Sequence, residues 1–534
     1  MSTIRATILI GVLSLLSKIL GAARQGFFAN RFGAGAEADI YIAAFRVPDL
    51  LFNLLILGTL SVAFIPVFVQ YMGRGGKKEA LEIAGTIFTI TAFVMGILAI
   101  LGVIFAPTLV KLIVPGFDAA AQQQTAALTR VLMLSPLLFS LSSVLTSILH
   151  SLRKFLLASI APLFYNLAII FGIVYLYPSF GLAGVAYGVI IGAGLHFFIQ
   201  FPAAVRVGFR PGASWNPQHP GVRQIGRLFL PRVFGIELGQ VSLLMASVLG
   251  SFLGAGSLAV FYFAYDLETV PLGVFAVSFA IAAFPTMAEY YSKKNFQGLR
   301  TFFAQTVVQI LFLIVPISVF ALLLRAQIVR LILGAGQNTQ FTFADTRLTA
   351  QALGFFVLSL FAQALVPLLA RCFYAMQNTW IPVLSGLLGA VVIILSGIVL
   401  APRLGPAGLA LSFSAGTLTH MSIMLFFLHR RLKGIEDDFI LLRTIKIAIA
   451  SVVMAVATFL TLYAVAPWVN MQTYVGVAIQ TACALATAIF AYLAAGHAIV
   501  LPEAKQVVQV LRSWFTKFTR PLTSAVIDMF TDLR

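Results

Sequence analysis

The residues here with the means to do chemistry are ionisable side chains set inside long apolar stretches. Lys18 and Arg24 lie in the first stretch and Arg46 and Asp49 in the second; Arg232 and Glu237, then Asp266 and Glu268, occupy later ones. An ion at bilayer depth costs on the order of 3 kcal/mol or more, so such residues normally face a water-filled cavity or a partner. Arg24 is too far from either end of its stretch to reach the interface easily. Lys18 and Arg232 lie nearer the cytoplasmic ends and can snorkel. Arg46 and Asp49 stand three apart, share a helix face and can pair. Cations lining a cavity would receive a phosphate-bearing head group through charge-assisted hydrogen bonds. The competing reading is structural: Arg46 with Asp49, and another cation with Asp266 or Glu268, would be ion pairs between lobes.

Signals for covalent chemistry are lacking. No HExxH, Walker A or Rossmann fingerprint occurs, and the six histidines are dispersed. Cys372 and Cys483 sit in apolar helices and suggest neither a disulfide framework nor a metal site. His196 and His420 fit packing or hydrogen bonding better than metal ligation. The expectation is a protein that is not an enzyme and has no cofactor or metal. The membrane potential or a monovalent cation is left as a source of drive.

The elements that must position these residues are membrane helices. Sixty per cent of the 534 residues are hydrophobic and 10% charged, with a mean hydropathy of +1.01. A soluble chain of this length would need far more charge. Apolar stretches of about 20 residues or more recur, long enough to cross a hydrocarbon core, whereas barrel strands would be about ten-residue alternating segments. The fold class predicted is therefore all-α, a polytopic bundle of about 14 transmembrane helices. The expected spans are 7–30, 38–72, 83–107, 126–150, 155–178, 181–207, 226–253, 257–290, 300–332, 348–375, 380–402, 405–430, 441–466 and 475–500. Pro48, Pro136, Pro271 and Pro367 are the expected causes of kinks. Met1 to Leu16 reads as the start of the first span and not as a cleavable signal peptide.

The net charge of +18 comes in short basic groups between the spans and not in one long tract, which speaks against nucleic acid. Arg74, Lys77 and Lys78, Arg153 and Lys154, Arg206 to Arg223, Lys293 and Lys294, and Arg430 to Lys433 fall in alternate loops. The positive-inside rule then places both termini in the cytoplasm.

Repetition gives the domain plan. Gly33-Ala34-Gly35 with Tyr41 and Ala43 recurs about 221 residues on as Gly254-Ala255-Gly256 with Tyr262 and Ala264. Gly181, Gly184, Ala186, Gly192 and His196 recur about 224 residues on as Gly405, Gly408, Ala410, Gly416 and His420. Two parallel six-helix lobes are expected, 1–207 and 226–432, joined by a cytoplasmic linker at 208–225. Parallel repeats of this kind place a cavity at their interface and allow rocking between inward-open and outward-open states. An extra helix pair occupies 433–500. At 501–534, Val507, Leu511, Trp514, Phe515 and Phe518 oppose Lys505, Arg512, Lys517 and Arg520, the pattern of an amphipathic tail on the cytoplasmic membrane surface.

Ser17-Lys18-Ile19-Leu20-Gly21-Ala22-Ala23-Arg24, Phe32-Gly33-Ala34-Gly35, Ala38-Asp39, Ala44-Phe45-Arg46-Val47-Pro48, Gly58, Ala63-Phe64-Ile65-Pro66 and Phe373-Tyr374-Ala375-Met376-Gln377-Asn378-Thr379 together resemble the MurJ/MviN family of lipid II flippases. Similarity in layout covers nearly the whole chain. The resemblance implies membership of the multidrug/oligosaccharidyl-lipid/polysaccharide exporter superfamily and an inner-membrane location in a bacterium. It implies an extra helix pair forming a groove for a polyprenyl tail. It also implies that Arg24 binds a pyrophosphate, that Lys18 stands where arginine is usual, and that Asp39 is the acid beginning the second helix. Phe52 and Leu57 replace a frequent arginine and glutamate, Asp266 falls where the second lobe's cavity arginine is expected, and Asn378 replaces a common aspartate.

The function so implied is movement of lipid II, the lipid-linked peptidoglycan precursor, from the cytoplasmic to the periplasmic leaflet by alternating access. Its partners would be lipid II or a related polyprenyl-pyrophosphate-linked glycan, and membrane lipids. Export of another polyprenyl-linked glycan and cation-coupled drug export are the alternatives among transporters. A non-transporting membrane scaffold is the alternative from a different class. An intramembrane lipid-modifying enzyme is disfavoured, because no nucleophile or metal set is clustered.

Overall fold

The computed structural model describes residues 3–55, 59–74, 76–212, 215–234, 238–335, 339–507 and 509; for 3–11, 54–55, 59–62, 230–234 and 238–239 it describes the backbone alone. Every regular element among them is helical. In chain order they are α1 (Thr3–Phe32), α2 (Ala36–Ala44), α3 (Arg46–Leu55), α4 (Thr59–Arg74), α5 (Gly76–Ile113), α6 (Ala119–Leu132), α7 (Leu134–Ser151), α8 (Leu156–Phe171), α9 (Tyr177–Phe180), α10 (Leu182–Arg206) and α11 (Pro220–Phe234). There follow α12 (Leu238–Gly250), α13 (Ser257–Pro271), α14 (Val277–Ser292), α15 (Phe296–Leu323), α16 (Arg325–Leu333), α17 (Phe343–Val357), α18 (Leu360–Ala375), α19 (Trp380–Leu404), α20 (Pro406–Leu432), α21 (Asp437–Val465) and α22 (Tyr474–Ala498). Short π-helical turns at Gly172–Leu176 and Leu272–Ala276 join α8 to α9 and α13 to α14.

The chain forms two compact units. The first comprises Met1–Ala264, Val329–Ala352 and Ala390–Phe413; the second comprises Tyr265–Ile328, Leu353–Gly389 and Ser414–Arg534. In the first, Phe64, Phe68, Ile83, Leu145, Ile148 and Phe209 are fully or almost fully buried in one cluster fed by α4, α5, α7, α10 and α11. In the second, Met287, Phe303, Leu368, Phe373, Met424 and Ile447 form the core. There α21 and α22 pack on α15, where the Tyr492 hydroxyl donates to the Phe312 carbonyl at 2.7 Å. Large apolar side chains also cover the outside: Leu112 on α5 is 68% exposed and Phe490 on α22 is 76% exposed. Such a surface is stable only against lipid, which removes the usual penalty on exposed apolar area.

Among the described residues, ten helical segments are long and apolar enough to cross a membrane, or eleven if α17 and α18 form one span. These correspond to eleven of the fourteen expected stretches. The other three, 7–30, 38–72 and 226–253, touch residues for which side chains or backbone are not described. The expected single span at 38–72 is interrupted at Phe45, between α2 and α3, and α11 begins at Pro220, inside the expected linker. The amphipathic tail beyond residue 509 lies outside the described residues.

Two breaks follow from proline chemistry. A proline lacks an N–H and clashes with the carbonyl four residues earlier, so the helix breaks ahead of it. Helix α2 gives way to α3 at Phe45, three residues before Pro48, and α6 gives way to α7 at Met133, three before Pro136. The carbonyls so freed are satisfied by hydroxyls: Thr129 donates to Ala44 at 3.3 Å and Ser135 to Leu132 at 2.8 Å. Pro271 leads directly into the second π-turn. Pro367 breaks nothing. It lies inside α18, and the break near it falls at Leu358 and Ser359, where the Ser359 hydroxyl donates to the Phe356 carbonyl at 3.1 Å.

The sequence repeat is visible as repeated local geometry. Gly181 and Gly405 have φ of +57° and +61°, a conformation that favours glycine. Their N–H groups donate to Tyr177 and Ala401, both at 2.8 Å, and those of Gly184 and Gly408 donate to Gly181 and Gly405, both at 2.9 Å. A Cβ on Gly184 would overlap the Leu176 carbonyl, and one on Gly408 the Leu400 carbonyl. Arg153 and Gln377, also in corresponding positions, share φ of +56° and +55° at the ends of α7 and α18.

Candidate functional site

The first unit holds a cavity of about 440 Å³ between α3, α7, α8 and α10. Prolines at 48, 136 and 162, one from each of the first three helices, line it. Phe45, Phe52, Phe139 and Tyr165 give it aromatic walls, and Asp49, Ser143, Thr146 and His196 supply polar groups. Behind them the polar atoms satisfy one another. Ser142 Oγ lies 2.7 Å from His196 Nδ1, Gln200 Nε2 donates to Ser142 Oγ at 2.8 Å, and the Thr146 hydroxyl donates to Gln200 Oε1 at 2.7 Å. Buried polar groups joined in a closed network fix one another's orientation. His196 is thus a hydrogen-bonding residue of the cavity wall.

Arg24 projects from α1 as a half-buried cation, near enough to Asp49 and Tyr165 to act electrostatically on both. Among the described residues its guanidinium has no hydrogen bond or ion pair. Lys18, further back on α1, is exposed. A half-buried guanidinium without a hydrogen bond or ion pair among the described residues, beside an aromatic-walled cavity, can receive an anionic group on an otherwise apolar or sugar-bearing ligand.

Arg46 is held from three sides. Its Nε donates to the Ile42 carbonyl at 3.1 Å, its Nη2 lies 3.3 Å from Asp49 Oδ2, and its guanidinium sits over the Tyr262 ring at 4.1 Å. Asp49 is the shared element. It pairs with Arg46 and lines the cavity, so the site and the ion pair are one structure.

Asp39 is placed elsewhere. It is only 4% exposed, and its two carboxylate oxygens accept from the backbone N–H groups of Gly256 at 2.6 Å and Ala259 at 2.7 Å. These are donors at the start of α13, which an intrahelical bond cannot satisfy and which carry the positive end of the helix dipole. Asp39 therefore acts as the cap of a helix that begins more than two hundred residues later. Gly256 has φ of +86°, and a Cβ there would overlap the Ala34 carbonyl, so the loops 33–35 and 254–256 are in backbone contact.

The remaining candidates are not brought to this cavity by the described geometry. Arg232 is described in backbone only, within α11, and Glu237 lies outside the described residues. Asp266 is exposed. Glu268, in the second unit, is 2% exposed and accepts from Gln363 Nε2 at 3.1 Å. The partner among the described residues is an amide. Tyr165, Phe139, Ser143 and Thr146 were not singled out from sequence. The signal for them is the density of hydroxyls along α7, where Ser135, Ser140, Ser142, Ser143, Thr146, Ser147 and Ser151 interrupt an otherwise apolar helix.

Comparison with known proteins agrees with this architecture. The family model described as "Lipid II flippase MurJ" matches residues 28–479. The chain is 27% identical over 483 residues to a probable lipid II flippase MurJ of Vibrio cholerae, covering 88% of this chain and 90% of that protein. It is likewise 27% identical over 454 residues to the lipid II flippase MurJ of Burkholderia cenocepacia, covering 82% and 85%. Among solved structures, one described as lipid II flippase MurJ in an inward closed conformation aligns with a TM-score of 0.74 at 22% identity, over 92% of this chain and all of the other. An inward-facing multidrug resistance MATE transporter of the MOP superfamily aligns at 0.64 and 16% identity, over 80% and 98%. The structural matches establish the fold, and the sequence match over most of the chain settles the kinship: this protein belongs to the lipid II flippase MurJ family.

Proposed function

We propose that this chain moves lipid II from the cytoplasmic to the periplasmic leaflet of a bacterial inner membrane, by alternating access and without covalent chemistry. The observation that carries the reading is the Arg24 guanidinium beside the cavity, with no hydrogen bond or ion pair among the described residues, in a chain of this family. Arg24 binds the pyrophosphate, and the aromatic and hydroxyl-bearing wall meets the neighbouring sugars. Lys18 and Arg232 draw the anionic head group toward the site from the cytoplasmic side.

In this reading the lobes are 1–207 and 226–432, 208–225 links them, the extra pair at 433–500 guides the polyprenyl tail, and 501–534 lies on the cytoplasmic surface. The basic groups at 74–78, 153–154 and 430–433 support a cytoplasmic side for both termini. The membrane potential or a monovalent cation drives the cycle. The deciding experiment is depletion of the protein in its own host, followed by an assay of lipid II on the outer leaflet. Outer-leaflet lipid II should fall and be restored by the wild-type chain but not by Arg24→Ala; an unchanged pool would refute the reading.

One observation favours a second substrate. Phe52 and Asp266 leave fewer cations than the family pattern implies, which suits another polyprenyl-linked glycan with a less anionic head group. Competition between lipid II and an undecaprenyl-linked monophosphate glycan for binding to the purified protein separates the two.

A further inference from the structure

Glu268 lies within a membrane-crossing segment, Ser257–Ser292, and is nearly completely buried in the second unit. One carboxyl oxygen accepts from Gln363 Nε2 at 3.1 Å, and the other, Oε1, is buried with no hydrogen-bond partner among the described residues. The same Gln363 amide donates to Ser359 Oγ at 3.1 Å. The Ser359 hydroxyl lies 2.9 Å from Ser414 Oγ, which bonds the Phe355 carbonyl at 2.8 Å. A polar ladder thus runs from Glu268 to the break at Leu358 and Ser359, between α17 and α18.

Among the described residues no cation forms an ion pair with this acid. Burial and the Gln363 amide are the influences that act on its carboxyl. On its own helix, Tyr265 rests its ring on Phe356 and Asp266 is exposed. On α18, Arg371 turns its guanidinium to the Pro367 carbonyl at 3.2 Å. On α14, Glu289 pairs with Lys293 at 2.6 Å on the surface; on α15 the charged group is Arg300, at the helix start, and on α20 they are His420 and, in the last turn, His429, Arg430 and Arg431. An ionised carboxylate with one bare oxygen in this setting costs on the order of several kcal/mol. A metal cation fits poorly, because the polar group facing the acid is an N–H donor and cations of the alkali and alkaline-earth type need a shell of oxygens. Among the described residues no cluster of three His, Cys, Asp or Glu could hold a metal ion. The ligand that completes a lone buried carboxylate is a proton.

We propose that Glu268 is a proton-binding site: it carries a proton in this conformation, and loss of that proton disturbs the Gln363–Ser359–Ser414 ladder and loosens the break at Leu358 and Ser359. The proposal does not depend on the substrate, so it stands or falls apart from the flippase reading.

The test uses the full-length chain in liposomes and infrared difference spectroscopy of the protonated carboxyl C=O stretch. A band present at pH 7 should vanish in Glu268→Gln, move in Glu268→Asp and persist in Asp266→Asn. Identical spectra for wild type and Glu268→Gln, or loss of the band in Asp266→Asn, would overturn the site. If Glu268→Gln does not fold, Glu268→Asp and alkaline titration of the wild-type band provide the same discrimination. Hydrogen exchange of the 355–365 segment, corrected for intrinsic rates, should rise at least threefold in wild type above the titration and stay level in Glu268→Gln. Equal behaviour of the two proteins would overturn the link to the break.

Discussion

The carboxylate of Asp39 holds the backbone N–H of Gly256 at 2.6 Å and that of Ala259 at 2.7 Å, joining α2 to the start of α13. The contact is buried, so removing the acid strands two donors that water cannot reach. Each such donor costs about 1–3 kcal/mol. Asp39→Ala should lower the thermal midpoint of the purified protein clearly, by the equivalent of roughly 2–4 kcal/mol. Asp39→Asn keeps an acceptor and should fall between. A midpoint unchanged in Asp39→Ala would show that the cap contributes nothing to stability.

The neighbouring backbone contact predicts a crosslink. Cysteines at Ala34 and Ala255, in a chain with Cys372 and Cys483 replaced, should join in high yield, because loops 33–35 and 254–256 touch. If the loops must part during the cycle, the crosslink stops flipping and reduction restores it. Undiminished flipping by a fully crosslinked sample would exclude parting at this point.

Gly256→Ala should weaken the same contact. The new Cβ overlaps the Ala34 carbonyl and forces a side chain into positive φ. Left-handed backbone alone costs a non-glycine residue about 1–2 kcal/mol. The crosslink yield between positions 34 and 255 should fall in this variant at equal membrane abundance.

Arg24→Ala should abolish lipid II flipping while leaving membrane abundance within about twofold of wild type, since no hydrogen bond or ion pair of the described residues is lost. Arg24→Lys keeps a point charge without the planar fork and should retain partial activity. Quantitative immunoblotting beside the flipping assay separates loss of site from loss of protein.

Arg46 and Asp49 should couple weakly. Asp49 is 42% exposed and Arg46 14%, and an ion pair open to water on one side contributes about 0.2–1 kcal/mol. The Tyr262 ring beneath Arg46 should matter as much, because a cation over an aromatic face gives about 0.5–2 kcal/mol. Double-mutant cycles on thermal unfolding, Arg46→Gln with Asp49→Asn and Arg46→Gln with Tyr262→Leu, measure both. A coupling above about 3 kcal/mol in the first cycle would mark a truly desolvated pair.

Much of the architecture is legible in the sequence because lipid imposes a strong rule: a span must be long, apolar and helical. The Gly181 and Gly405 turns were legible for a related reason, since only glycine suits their backbone and the spacing repeats. The division of 38–72 was less so. Pro48 announced a kink, but not that Thr129, far along the chain, would satisfy the freed Ala44 carbonyl. In the second copy the equivalent break at Ser359 uses no proline. The site was half legible. Arg24 and Asp49 stand out as charges in apolar surroundings, whereas Tyr165, Ser143 and Thr146 are ordinary membrane-helix residues until three helices converge. Asp39 carried a charge but not its address: a helix start so distant in sequence leaves no local signal.

The tight turn at Gly181 also bears on how the chain enters the membrane as it is synthesised. Helices α8 and α10 follow one another out of the ribosome, and each carries polar side chains, Asn166 on α8, His196 and Gln200 on α10. Inserted singly, either helix would present those groups to hydrocarbon. The turn brings them together as a hairpin, with Gly184, Gly188 and Gly192 seated against the α8–α9 backbone. Asn166 then reaches back to the Ser17 carbonyl on α1 at 3.5 Å, while α7, made earlier, waits with Ser142 and Thr146 to receive Gln200. The order of synthesis delivers the partners before the residues that need them.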